Sequence, residues 1–260
     1  MKLRNQQGIV LAAMVMLMVV AAITVLGVSI FVIQRLEQTE VRLTRTAAIN
    51  LAEAGINRAL YDYRFRDLSG NGYVTLGQTN LTAQRFFVLG ADAADLIMVN
   101  TAGAFFINAG VNYFLEGLTL QNATNSKAIT IDRMIVTWDN SADLRRIVIN
   151  GSTVWSGNDA SPVDADIPNV TLNTVPSTVN IDNLRFQGNM TGSNINIVFV
   201  MTDGTQRSVD VFPASNQFDF WLSATGKTSV SNIWRTVRAR YNAITGAVDN
   251  YAEISTQITP

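Results

Sequence analysis

Neither cysteine nor histidine occurs anywhere in the 260 residues. The first absence excludes disulfides, thiolate metal sites and cysteine nucleophiles. The second removes the commonest general base, the commonest metal ligand and the usual partner that activates a serine. Charge is scarce as well: Asp, Glu, Lys and Arg make up 15% of the chain, against about 25% in a typical soluble domain. The net charge is −1, so no basic field points to nucleic acid. The five prolines all lie after residue 160, too few to make a disordered stalk. There is no phosphate-binding glycine loop, no zinc spacing and no Gly-x-Ser-x-Gly elbow. The three lysines, Lys2, Lys127 and Lys227, form no serine–lysine motif. What is left for an enzyme is carboxylate or lysine chemistry, and the inventory favours a protein that is not one.

What the chain does have is a run from Ile9 to Ile33, twenty-five residues without a charge. A helix needs about 20 apolar residues to cross the hydrocarbon core of a bilayer. A polar leader, Met1 to Gly8, precedes the run and carries Lys2 and Arg4 with no acid among them. The positive-inside rule keeps such a leader in the cytoplasm and sends the remainder outward. A secretory signal has a shorter apolar core, about 7–15 residues, and a small-x-small cleavage site. The helical pattern also continues: from Gln34 to Tyr63 there is no proline, and the one glycine is Gly55. Good helix formers dominate that stretch. The whole is expected to be one helix of about 54 residues, roughly 80 Å long. On these grounds alone it is a single-pass signal anchor.

A short basic leader ending in Gly8, followed by Ile9 and a long apolar helix, resembles a type IV prepilin. The segment Ala47-Ala48-Ile49-Asn50-Leu51-Ala52-Glu53-Ala54-Gly55 is similar to that of PilX-type minor pilins. The resemblance implies that a prepilin peptidase cuts between Gly8 and Ile9, that Ile9 is then N-methylated, and that the apolar helices pack into a filament core. Three positions depart from the major pilins. Ile9 replaces the usual phenylalanine, Ala13 stands where they carry a glutamate, and Ile30 stands where they carry a helix-kinking proline. In that family the glutamate neutralises a neighbouring subunit's terminal amine. Its loss is shared with tip-type components, including the K-type pseudopilin of type II secretion, and implies a minor, tip-located subunit.

In the second half of the helix, Val41, Ala48, Ala52, Gly55 and Ala59 fall on one side at spacings of 7, 4, 3 and 4. Leu36, Leu43, Ala47, Leu51 and Ala54 adjoin them, giving a wide apolar face of mostly small residues suited to close packing on a sheet. Glu53 lies on the opposite side with Arg42, Thr46 and Asn57, where it is expected to be solvated or locally paired.

The turn cluster Asp67-Leu68-Ser69-Gly70-Asn71-Gly72 ends the helical pattern, and the remainder reads as β. Expected strands begin with Tyr73–Leu76, Phe86–Leu89, Leu96–Val99 and Phe105–Ile107, the first few against the apolar face of the helix. Asn112–Leu120, Lys127–Trp138, Leu144–Ile149, Thr153–Trp155, Val179–Phe186, Ile195–Met201 and Arg207–Phe212 follow. Asn150-Gly151 and Asp203-Gly204 are hairpin signals. Phe218–Gly226, Ile233–Tyr241 and Tyr251–Ile254 resemble the closing strands of PilX-type heads. The expected fold class is α+β: a long N-terminal helix, transmembrane and then amphipathic, packed on an antiparallel β head with an inserted immunoglobulin-like β-sandwich. The expected divisions are a leader at 1–8 and a helix at 9–64, of which 9–33 is transmembrane. The head comprises 65–110 and 214–260, and the insertion 111–213.

No residue is assigned a catalytic role, and no cofactor is required. Asp159, Asp164 and Asp166, in an acidic, proline-broken loop expected from Gly157 to Val170, are candidate calcium ligands, without the spacing of an EF-hand. Trp138 and Trp155 are expected in the core or against a hairpin. Arg235, Arg238 and Arg240 are expected on a solvated sheet face or edge. Together with the resemblance, these readings imply a minor type IV pilin or pseudopilin. Its partners are the prepilin peptidase, other pilin subunits, the inner membrane and a surface or secreted ligand. It would lie in a bacterial inner membrane before assembly and in an extracellular or periplasmic filament afterwards. The rivals are an uncleaved, signal-anchored binding ectodomain and a membrane-tethered hydrolase working through carboxylates such as Asp159 or Asp203.

Overall fold

A computed structural model of the chain describes residues 3–65, 72–174, 177–212, 218–228 and 233–259. The fold is α+β, one long N-terminal helix followed by antiparallel sheets. Two compact units divide it at Ala47/Ala48. Helix α1 (Leu3–Phe65) runs unbroken for 63 residues, from six residues before the expected start at 9 to one past the expected end at 64, because no proline interrupts it and its glycines stand singly. Of the expected turn cluster, Asp67 to Asn71 lie outside the described residues.

The strands are β1 (Gly77–Thr82), β2 (Arg85–Gly90), β3 (Ile97–Asn100), β4 (Phe105–Ala109), β5 (Asn112–Glu116), β6 (Leu118–Asn122), β7 (Ile129–Trp138) and β8 (Asp143–Ile149). They continue with β9 (Ser152–Asp159), β10 (Val163–Leu172), β11 (Thr178–Gln187), β12 (Ile195–Met201), β13 (Gln206–Phe212), β14 (Asp219–Thr228), β15 (Trp234–Asn242) and β16 (Val248–Ile254). A single helical turn, α2 (Ala93–Leu96), separates β2 from β3.

Three sheets result. A five-stranded one has the order β1-β2-β14-β15-β16, so β2 and β14, distant in sequence, are neighbours. A four-stranded one has the order β10-β7-β12-β13. In the seven-stranded one the path β3-β6-β11-β5-β4 is joined by β8 against β11 and β9 against β8. Aromatic rings link the last two sheets: Trp138 of β7 meets Phe186 of β11 edge-on at 5.2 Å, and Phe106 of β4 stacks on Phe212 of β13 at 5.1 Å. Trp138 is buried and donates from its indole nitrogen to the Ala142 carbonyl at 2.8 Å. Trp155 is half-buried on β9.

Period-2 burial runs through β6, β7, β10, β11, β12 and β13. Ile195, Ile197, Phe199 and Met201 are all buried, the face that their alternation anticipates. Four strand expectations change. Sheet membership passes from the five-stranded sheet to the others between Gly90 and Ile97, earlier than the expected division at 110/111, because β3 and β4 pair with β6 and β5. The expected strand 112–120 is split at Gly117, whose φ is +84° and where a Cβ would fall on the Gly103 carbonyl oxygen. Tyr73–Leu76 forms only a bridge, Val74 to Thr124. The acidic loop expected from Gly157 to Val170 is mostly strand: Val163, Ala165 and Ile167 are buried between exposed Asp164 and Asp166. Pro168 is accommodated because β10 is an edge strand whose register breaks between Asp166 and Val170.

Candidate functional site: the helix, its seat and a charged junction

The bond between Gly8 and Ile9 lies in the first turns of α1, and the side chains of residues 1–10 lie outside the described residues. From Leu11 onward the helix is long and apolar enough to cross a membrane. Its large side chains are bare, Leu17 and Met16 each 72% exposed. Two hydroxyls interrupt the run, and each is satisfied within the helix. Thr24 Oγ1 donates to the Val20 carbonyl at 2.6 Å and Ser29 Oγ to the Val25 carbonyl at 2.8 Å. Such back-bonding satisfies both hydroxyl donors within the helix.

The last turns of α1 are seated on the five-stranded sheet. Ala48, Ala52, Ile56 and Ala59 are buried there. The seat is close because two glycines face each other's elements. A Cβ on Gly226 of β14 would fall on the Ala48 carbonyl oxygen and lie 2.6 Å from the Ala52 nitrogen. A Cβ on Gly55 of the helix would lie 2.8 Å from the Phe87 ring and 3.2 Å from Ala224 Cβ. At the end of the helix Tyr63 packs against Phe220 at 4.8 Å and Tyr241 at 5.3 Å, and its hydroxyl reaches Met98 Sδ of β3 at 3.5 Å. Burial, and then the neighbouring Tyr241, push the Tyr63 hydroxyl far above its usual range. Glu53 is locally paired: the Tyr251 hydroxyl of β16 bonds to it. Burial and then the charge of Glu53 push that hydroxyl up to about 12.

A charged junction joins the five-stranded sheet to the rest. The carboxylate of Asp219, at the start of β14, takes Arg207 of β13 on one oxygen and Arg240 of β15 on the other, the latter at 3.5 Å. Asp219 and Arg207 are both nearly sealed from solvent. Burial raises the Asp219 carboxyl, and the two arginines offset that only in part. Arg240 also bonds Asp249 through both oxygens at 2.7 and 2.8 Å. Arg238 meets Asp95 of α2 at 2.6 Å and lies 4.5 Å from the Trp221 ring centre. Arg235 pairs with Glu253 at 2.9 Å. The three arginines expected on a solvated face are therefore all paired, and each ties β15 to another element. A neighbouring cap does the same: Asp203 and Thr205 accept from the Ala93 and Ala94 nitrogens at the start of α2. Burial acts to raise the Asp203 carboxyl, but donation from Thr205 and Ala93 outweighs it and leaves the carboxyl lowered.

The calcium candidates do not share a loop. Asp159 ends β9, paired with Leu144, while Asp164 and Asp166 stand on β10 opposite Ile135 and Arg133. Arg133 binds the Asp164 carboxylate at 2.8 Å. Among the described residues no group of three or more acids gathers in a metal-binding cluster. Asp203, named as a hydrolase candidate, is occupied as a cap. An open cleft of about 410 Å³ is lined by Phe106, Phe212 and residues 191–194. Apart from Gly192, those residues are aromatic, amide or hydroxyl-bearing, with neither acid nor base among them. What the arrangement provides is a bare apolar run in the early turns of α1 and a tight seat for its last turns, from Ala48 onward, on the five-stranded sheet. The junction residues Arg207 and Asp219 were missed because strand patterning carries no signal for pairing between different sheets.

No protein-family model and no curated protein matches the chain. Among solved structures it is similar to the sporulation control protein Spo0M from Bacillus subtilis, at 7% identity and a TM-score of 0.26. That match covers 55% of this chain and 74% of the other, a likeness too slight to bear on fold or function.

Proposed function

We propose that the chain is a minor, tip-located subunit of a type IV pilus or of a type II secretion-like pseudopilus. The observation that carries this reading is α1 itself. It is one unbroken helix whose early turns are apolar and bare, and whose last turns are buried by small residues in an antiparallel sheet. A helix of that kind exchanges lipid for neighbouring helices as subunits assemble. The prepilin-like leader supplies the processing step, cleavage between Gly8 and Ile9. The role is assembly and presentation rather than catalysis. The four- and seven-stranded sheets form an immunoglobulin-like sandwich carried by the head, which primes assembly or meets a surface or secreted ligand. The subunit sits in the inner membrane before assembly and in a periplasmic or extracellular filament afterwards.

Mass spectrometry of the N-terminal peptide of the protein recovered from the cell envelope tests the reading. A chain that begins at an N-methylated Ile9 is the expected result. A chain that keeps Met1 to Gly8 beside an active prepilin peptidase overturns it and leaves a signal-anchored ectodomain.

A further inference from the structure

Just beyond the apolar run, α1 carries two leucines that the described residues leave exposed. Leu36 is 64% exposed and Leu43 is 67% exposed. Seven residues apart, they stand on one stripe of the helix, with Val32 and Thr39 between successive turns of it. Exposed arginines, Arg35 and Arg42, immediately precede the leucines and line one flank of the stripe. Exposed Glu40 lies on the other flank, four residues after Leu36. Among the described residues none of these three charges has an ion-pair partner in its own chain; Arg35 only rests over the Phe31 ring, 5.1 Å from its centre. An apolar stripe with opposite charges on its two flanks complements a parallel copy of itself. In an in-register parallel pair, a residue just before a seam position faces the residue five further along the other helix. Arg35 then meets Glu40 of the second copy, and Glu40 meets its Arg35.

We infer that, outside the hydrocarbon core, two copies of this chain pair in parallel along Leu36 and Leu43, with reciprocal Arg35–Glu40 contacts fixing the register. The inference rests on the membrane reading of α1 in the proposed function, since a common insertion direction makes the helices parallel. The occupant is a second copy because the charges are self-complementary. An antiparallel pair would place arginine flank against arginine flank.

The natural lack of cysteine makes the test direct. The full chain is reconstituted in phosphatidylethanolamine–phosphatidylglycerol vesicles as Thr39→Cys, on the stripe, or Gln38→Cys, away from it, and oxidised. The Thr39→Cys chain is expected to give disulfide-linked dimer roughly tenfold faster than the Gln38→Cys chain. In the Thr39→Cys background, Arg35→Glu or Glu40→Arg alone turns both reciprocal contacts repulsive and lowers crosslinking roughly tenfold. Mixing the two variants restores it between unlike chains. Equal crosslinking at both cysteines, none at either, or indifference to the charge reversals overturns the pairing. Carbonate extraction of the same vesicles separates the two readings. Loss of crosslinking with the chain still held in the bilayer sinks the pairing alone. A chain washed from the bilayer sinks the membrane reading and the pairing with it.

Discussion

Gly226 and Ala48 are held so close that the helix carbonyl of Ala48 occupies the place where a side chain on Gly226 would begin. The obstacle is backbone, so no rotamer change relieves it. Gly226→Ala is expected to lower stability by roughly 2–4 kcal/mol, at or beyond the upper end of overpacking costs. Urea denaturation of the full chain in detergent, followed by tryptophan fluorescence, measures it. Gly55→Ala is the informative control. Its Cβ would meet side chains rather than backbone, the buried Phe87 ring at 2.8 Å and Ala224 Cβ at 3.2 Å, and alanine gains about 1 kcal/mol of helix propensity, so the loss should be smaller, about 0–2 kcal/mol. Comparable losses at the two positions would show that the seat is not set by the Gly226 contact.

The junction at Asp219 is expected to behave as a buried pair. Removing one partner leaves the other charged and enclosed, so Asp219→Ala and Arg207→Ala should each cost about 3–5 kcal/mol. Replacing both with apolar groups, Arg207→Met with Asp219→Leu, should cost much less than the two single losses added together. A double-mutant cycle on those positions reads the coupling. Additive losses would mean that the pair does not couple the five-stranded sheet to β13.

Asp203 and Asp219 respond to acid in opposite senses. The Asp203 carboxyl is lowered from 3.8, so its ionised form stabilises the fold at higher pH, and that contribution disappears as pH falls through the lowered value. The Asp219 carboxyl is raised from 3.8, so its contribution is full below 3.8 and is lost as pH rises through the raised value. Asp203→Asn keeps an acceptor for α2 but removes the charge. Near pH 7 it should cost about 1 kcal/mol, and its stability deficit against the natural chain should close as pH is taken below 3.8. Stability measured by urea titration at several pH values follows that gap, and a gap that widens on acidification would contradict the sign.

Much of the architecture was legible because it follows local periodicity. The helix declares itself by composition and by the absence of proline, and β12 by the strict alternation from Ile195 to Met201. The Asn150-Gly151 hairpin takes positive φ at both residues, as its dipeptide suggests. At Asp203-Gly204 only the glycine does so, since the aspartate is held as a cap. What escaped depends on neighbours remote in sequence. Gly117 breaks a strand only because Gly103 lies against it. β10 hides behind Pro168 and two acids, which an edge position tolerates. Arg238 reads as a surface charge until Asp95 arrives beside it. The prepilin-like leader is a matter of sequence pattern, and geometry adds nothing to it. The seat of the helix was foreseeable as a run of small residues, but its tightness came from Gly226, far along the chain.

The adjacency of β2 and β14 carries one more implication. The chain leaves the five-stranded sheet at Gly90 and rejoins it at Asp219, and Gly90 pairs with Ser223 in the neighbouring strand. Departure and return are thus side by side, so the excursion enters and exits through one doorway. Its length and content can drift, or be exchanged wholesale, without reordering the strands that hold the helix. Such a plan lets the excursion diversify while the sheet that seats the helix stays the same.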